Sequence, residues 1–371
     1  MKKKMTVIMI TTWLCANLYA VKDEQKAAYE MYGLAHISID FLDDDQTKSV
    51  YLSSNSSRIG WKGTLLLNTM IKAIWKVECD AVLDEGSGVF ASRNAYVGLS
   101  SIYGNIIGGR HDTPFEILSD KLALFRDQIG DARNIIGNQG AGWNLRTNNI
   151  IAYQSPEVWG ISVFAMYSPE DGVDQNDLSG VSAEYRKGGL FLTIAGERHG
   201  RGMTASIEKA YETVSNDRDP LTSQYLLVEY PAVSTLSKKN ETGIRIGGSY
   251  TWQDLKFTAL YEILRDVGGV SGTHSHAWGT GITYRYKKHR AKAQYYTSNG
   301  IAGKEHHGSG MFAFGYDYTL AESTKLYVAY ASAINEAYAA SGMSLAGRGD
   351  GAEPASGKDP SGLSLGIVYS F

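Results

Sequence analysis

Residues 113–131 hold the most concentrated chemistry in the chain. Thr113-Pro114-Phe115-Glu116 reads as a helix start: threonine is a good cap, proline suits the first helical position, and glutamate follows the threonine by three, as a capping box requires. At about 100° per residue, Leu118, Leu122, Phe125 and Ile129 stack on one side while Asp120, Asp127 and Asp131 share the opposite side. Leu124 interrupts that acidic stripe, and Gly130 is a candidate stop. The plainest reading is the solvated face of an amphipathic helix; the more specific one is a row of carboxylates bordering water. Catalytic signatures are missing: there is no Gly-x-Ser-x-Gly elbow, His-Glu-x-x-His pair, phosphate loop or Gly-x-Gly-x-x-Gly fingerprint. No enzymatic activity, cofactor or resident metal is expected.

The elements that must carry this segment are strands. The chain has 371 residues, 43% hydrophobic and 20% charged, and its mean hydropathy of -0.24, with no apolar run of about 18 residues, argues against membrane-spanning helices. Residues 1–20 read as a signal peptide, with Lys2-Lys3-Lys4 as the charged region, an apolar stretch from Met5 to Leu14, and Ala20 before the expected cut. Removing them leaves 33 basic against 39 acidic residues, a net charge of about -6, too mild to imply nucleic acid. The mature part, 21–371, keeps one cysteine, Cys79, and so no internal disulfide.

Alternation with a period of two recurs along the whole mature part. Leu363, Leu365, Ile367, Tyr369 and Phe371 share one face of the last segment; Phe312, Phe314, Tyr316 and Tyr318 alternate with Ala313, Gly315 and Asp317; Ile71, Ala73, Trp75 and Val77 oppose Lys72, Lys76 and Glu78. In a soluble sandwich the bulky face would meet a shared core; in a transmembrane barrel it meets lipid while charges line a watery lumen. The connections discriminate. Short ones, at Tyr103-Gly104, Pro156-Glu157, Arg186 to Gly189, Gln253-Asp254, Lys287 to His289 and Leu320 to Ser323, alternate with long polar ones at Asp43 to Ser49, Thr113 to Leu145, Gly200 to Glu241 and Ile334 to Pro360. Sixteen strands are expected, at about 32–42, 50–66, 70–81, 92–102, 105–112, 146–155, 158–167, 179–186, 190–199, 242–252, 255–266, 277–286, 290–297, 310–319, 324–333 and 361–371. The expected fold is all-β: a 16-stranded antiparallel transmembrane β-barrel.

Several segments, in this order and spacing, resemble the Gram-negative general diffusion porins: Ser57-Arg58-Ile59-Gly60-Trp61-Lys62-Gly63, Arg93-Asn94-Ala95-Tyr96-Val97-Gly98-Leu99, Gly108-Gly109-Arg110, Arg146 followed by Ile151-Ala152-Tyr153, and the terminal Tyr369-Ser370-Phe371. The resemblance covers essentially the whole mature chain. It implies a homotrimer of barrels in the outer membrane, each pore narrowed by an inward-folded third loop, here about 113–145, and a terminal Phe371 read by the barrel-assembly machinery. It also implies constriction arginines, whose matching positions are Arg58, Arg93 and Arg146, with Arg110 a fourth lumenal candidate. Alternation agrees for Arg58, which shares a side with Gly60 and Lys62 while Ile59 and Trp61 take the other. An arginine on the lipid face near mid-membrane would cost about 2–4 kcal/mol.

If the third loop enters the barrel, its apolar stripe packs on the wall and Asp120, Asp127 and Asp131 face the arginines, with Glu116 an additional acid; the loop lacks the Pro-Glu-Phe motif of enterobacterial members. The expected function is passive passage of ions and small hydrophilic solutes. A substrate-selective channel for an anion or a sugar is the alternative, with Lys62, Lys72, Lys76 and Lys256 as further lumen residues, and an outer-membrane hydrolase or adhesin is a third reading. His274, His276, His306 and His307 are expected in extracellular loops as solvated side chains, the alternative being a metal held by two His at such spacing. Asp43-Asp44-Asp45 reads as a hydrated acidic loop, the alternative being calcium binding or a divalent-ion bridge to lipopolysaccharide; Thr204 to Val214 reads as a short helix within the fifth loop, and Cys79 as an outward, lipid-side residue.

Overall fold

The computed structural model describes residues 27–138, 142–169, 177–200, 214–218, 225–227, 239–301, 305–343 and 349–371. The expected signal peptide and the Thr204 to Val214 helix fall outside them, the latter in all but its last residue. Sixteen antiparallel strands close into one barrel: β1 Ala27–Asp43, β2 in two segments (Lys48–Ser54 and Arg58–Leu66), β3 Lys72–Asp80, β4 Ala95–Ser101, β5 Gly104–Asp112, β6 Arg146–Gln154, β7 Ile161–Ser168, β8 Leu178–Lys187, β9 Leu190–His199, β10 Glu241–Trp252, β11 Leu255–Arg265, β12 His274–Tyr286, β13 His289–Ser298, β14 Ser309–Ala321, β15 Thr324–Asn335 and β16 Ser361–Ser370. One helix, α1, spans Pro114–Leu122. Val214–Arg218 and Tyr225–Leu227 form a separate two-stranded pair.

Alternation decides which side of each strand meets what. Trp278 and Tyr284 on β12 are 48% exposed, while Thr283 between them on the opposite face is 8% exposed. The outward rows of Trp, Tyr, Ile and Leu are about 40–60% exposed, and the inward rows hold Glu78, Arg245, Glu262, Lys292 and Asp317, all buried. This is the reverse of a soluble sandwich. Cys79 shares the outward face with Trp75 and Val77, and its sulfur accepts the Ala91 N–H at 3.4 Å.

Two details differ from the sequence expectation. β2 is broken at Asn55 to Ser57, where Ser56 adopts φ 50° and side chains replace ladder bonds: Ser57 Oγ accepts the His36 N–H at 2.9 Å, and the Asn55 N–H donates to the His36 carbonyl at 2.8 Å. Short polar residues compete with the ladder in this way, and the break sets Arg58 at the start of the second segment. The histidines His274 and His276 belong to β12 rather than to a loop; His276 lies opposite Ile263, with Tyr261 Oη and its Nδ1 2.9 Å apart. Ladder pairing continues that far because the β11–β12 hairpin stays in register to its end. Among the described residues no group of three or more His, Cys, Asp or Glu is arranged to hold a metal.

Closure depends on β1 meeting β16, from Leu34 opposite Ser370 to Asp43 opposite Ser361. Phe371 completes the seam: its N–H donates to Gly33 O at 3.1 Å and its carbonyl accepts the Gly33 N–H at 2.8 Å. The Phe371 ring lies where a Cβ on residue 33 would be, 2.2 Å from its nearest atom. Gly33→Val therefore overpacks the seam and costs about 1–3 kcal/mol. The expected result is a smaller fraction of folded, fast-migrating barrel on unboiled gels after refolding in detergent, recovered when Phe371→Ala is added to Gly33→Val.

Candidate functional site: the lumenal waist

Between β5 and β6 the chain turns into the barrel, and wall side chains hold it there. The Thr113 N–H donates to Leu145 O at 2.9 Å, closing the loop at its base. α1 starts as the capping box predicts, with Thr113 Oγ1 accepting the Glu116 N–H, but the wall adds a second cap: Glu197 Oε1 accepts the Phe115 N–H at 2.6 Å. Phe115, Leu118 and Leu122 bury against Trp143, Ala195, Leu260 and Leu264.

Arg245, fully buried on β10, forks into the loop. Its Nη1 donates to Phe115 O at 2.9 Å and to Asn144 Oδ1 at 2.8 Å, while Nη2 pairs with Glu262. Glu262 Oε1 in turn accepts the Gly137 N–H at 2.9 Å. Further round the wall, Lys292 Nζ donates to Leu124 O (3.0 Å) and Gln128 Oε1 (2.8 Å), and Gln294 Nε2 donates to Gly130 O at 2.6 Å. Charges taken out of water are tolerated when every lone pair and proton finds a partner.

These wall donors explain why the acidic helix stripe is not formed. α1 ends at Leu122 and Ala123 is already extended; the carbonyls of Leu124 and Gly130 bond to Lys292 and Gln294 instead of to the next helical turn. Asp127 adopts φ 55°, and Asp131 caps the single 3-10 turn Ala132–Asn134. Phe125 and Ile129 are nevertheless buried, as expected from their spacing.

The four acids converge all the same, around two arginines of the loop that the sequence reading did not single out. Arg133 contacts Glu116 (2.9 Å), Asp127 (2.8 Å) and Asp131 (2.7 Å). Arg126 contacts Glu116 (2.8 Å), Asp120 (3.1 Å) and Asp127 (3.6 Å). The available signal was two basic residues inside an acid-rich loop, Arg126 beside Asp127 and Arg133 two past Asp131. Burial alone would raise the Asp131 carboxyl, but Arg133 holds it below the usual carboxylate range. Burial would likewise lower Arg133 and Arg126, yet Asp131 and Glu116 respectively raise them. Only Asp120 keeps substantial contact with water, its side chain being 57% exposed.

The facing wall interleaves charge in the same way. Arg93, just before β4, contacts Glu78 at 2.7 Å and Asp80 at 3.0 Å. Arg146, the first residue of β6, contacts Asp112 at 2.8 Å at the base of the loop and donates to Asn94 at 3.1 Å. Arg58 is held most loosely: it stands 3.9 Å from Glu78, donates to Ser56 O at 3.1 Å, and feels the charges of Asp127 and Arg126 across the lumen. Lys62 and Lys76 lie directly opposite one another on β2 and β3, pair with Glu30 (3.2 Å) and Glu78 (3.1 Å), and flank the Tyr32 ring. Lys72 is exposed at the short-turn end of β3.

Arg110 does not join them. It lies opposite Ala95, on the face of Val97, which is 65% exposed, and its parity is that of outward Ile106. Sitting near the long-loop end of β5, its guanidinium donates to Ser92 O at 2.8 Å and to Asn148. The resemblance gave Arg110 as a fourth lumenal candidate; its ladder position is that of Val97, and a register irregularity between Gly109 and His111 sets Asp112, of the same parity, against Arg146.

The family model described as Gram-negative porin matches residues 20–338 of the chain. Among curated proteins, Major outer membrane protein P.IB of Neisseria lactamica is 25% identical over 166 residues, 44% of this chain and 49% of that protein. A second, from Neisseria gonorrhoeae, is 28% identical over 162 residues, 43% of this chain and 46% of that protein. The chain thus spans about half the length of the curated relatives it matches. Among solved structures, the anion-selective porin from Comamonas acidovorans superposes with a TM-score of 0.72 at 18% identity, covering 93% of this chain and 100% of that one. OmpT of Vibrio cholerae in its trimer form gives 0.65 at 17% identity, covering 93% and 99%.

Removing Arg133 strips the buried Asp131 of its arginine and leaves Glu116 and Asp127 with Arg126 alone. Arg133→Met should cost about 3–5 kcal/mol, read as a lower unfolding temperature in detergent and as noisy, enlarged single-channel current as the loop loosens. The acid dependence follows from Asp131: a depressed carboxyl contributes stability at every pH above its unfolded value and loses it as pH falls through the folded one. The clamp is therefore expected to hold from pH 7 down to about pH 4 and to release only in stronger acid, seen as a step in current noise on titration.

Proposed function

Because the chain belongs to the Gram-negative porin family, located in the outer membrane, we propose that it is a passive channel through which ions and small hydrophilic solutes diffuse without energy input. One observation carries this reading: the third loop is fastened to the β8–β14 side of the lumen, and the space between it and the opposite wall is bordered by the charged side chains of Asp120, Arg58 and Arg93, beside an apolar cluster of Ile107, Ile150 and Met166. We assign the waist to Arg58, Arg93, Arg126 and Arg146 with Glu78, Asp80, Asp112, Glu116, Asp120 and Asp127. A solute crossing it exchanges water for fixed donors and acceptors of both signs, which favours small polar molecules over greasy ones. Because each wall arginine has a nearby carboxylate, the field across the waist is weaker than two bare opposed rows would make it.

The protein is further proposed to lose residues 1–20 on export, to assemble as a homotrimer like the trimer form described for OmpT, and to present Phe371 to the assembly machinery. Single-channel recording in a KCl gradient tests the waist. Arg58→Ala with Arg146→Ala should raise conductance and move the reversal potential toward cation preference; Asp120→Asn should move it toward anions. Unchanged reversal potentials in both variants would remove these residues from the waist.

A further inference from the structure

We propose that the short-turn mouth of the barrel, which faces the periplasm in this family's orientation, contains a binding site for multivalent oxyanions on the β11–β15 wall, away from the waist. The inference rests on the water-filled lumen of the proposed channel.

The ladder sets like charges face to face there. Arg285 on β12 lies directly opposite Arg290 on β13, an arrangement that destabilises a sheet unless something compensates it. Lys256 on β11 lies opposite Thr283 in the same inward row and feels the charges of both arginines. Lys325 on β15 and Lys292 on β13 complete the cluster. One inward carboxylate serves it: Asp317 on β14 takes Arg290 Nε at 2.8 Å, Lys292 at 3.2 Å and Lys325 at 3.8 Å. Lys256 and Arg285 have no carboxylate within 4 Å among the described residues. The contrast with Lys62 and Lys76 is direct, since that like-charged pair has Glu30 and Glu78 beside it.

Of the two surplus cations, Arg285 borders a cavity of about 430 Å³ that is also lined by Lys288, Arg290, Lys325, Asp317 and the turn residue Glu322, with Lys256 one strand away in the same inward row. They face inward, because Tyr284 and Tyr286 on the alternate face are about half exposed; lipid headgroups outside the barrel are therefore not the ligand. The guanidiniums of Arg285 and Arg290 and the ammoniums of Lys288 and Lys325, beside the buried Asp317, suit an ion with several acceptor oxygens, such as a di- or polyphosphate, better than chloride. An ion captured there sits in the conduction path below the turn that Lys292 fastens at Leu124 and Gln128.

Calorimetric titration of inorganic pyrophosphate into the detergent-solubilised protein tests the site. Saturable binding is expected in the intact protein, weakened by about tenfold or more in Lys256→Gln/Arg285→Gln, consistent with the loss of charge-assisted bonds, and largely kept in the charge-retaining Lys256→Arg/Arg285→Lys. Absence of binding in the intact protein, equal affinity in the Gln variant, or loss of binding in Arg58→Ala instead would each overturn the site. KCl conductance of the same preparation separates the two readings: a conducting protein without pyrophosphate affinity refutes this site and leaves the channel standing.

Discussion

Within hydrocarbon a backbone amide or carbonyl finds no water, so every one must pair within the protein. The sixteen-stranded ladder satisfies that requirement only because it closes, and the closing seam is the antiparallel run of β1 on β16 ended by Gly33 and Phe371. Once closed, the barrel fixes each side chain's surroundings by parity. Odd or even along a strand becomes lipid or lumen, and the lumen takes most of the charged strand residues.

What occupies that lumen follows from a second constraint, the cost of burying charge. The third loop is held by Glu197, Arg245, Glu262, Lys292 and Gln294, all inward-facing and each bonded to loop backbone. Its own acids are gathered by Arg126 and Arg133. The loop is thus a charged plug on one side of the pore whose interior is neutralised, leaving Asp120 as the waist group most open to a passing ion and Arg58 as the most loosely held arginine. Where neutralisation stops short, at Arg285 and Lys256, the surplus field is available to a solute.

The strand pattern, the inward side of Arg58, Lys62 and Lys76, and the capped start of α1 were readable from residue order, because periods of 2 and 3.6 and capping preferences are local properties. The end of α1 was not. Helical spacing ran on past Leu122 to Ile129, and what stopped it was hydrogen bonding from Lys292 and Gln294, more than 160 positions along the chain.

The sequence by itself therefore determined a membrane barrel with a charged lumen and an acidic, amphipathic third loop, since alternation, turn lengths and capping act between neighbours. Tertiary structure alone decided which charges meet: that Arg133 gathers Glu116, Asp127 and Asp131, that Arg245 grips the helix, and that Arg285 faces Arg290. Electrostatic pairing depends on distances of a few ångströms, and those are set by barrel closure and strand register, which bring together residues far apart in the chain.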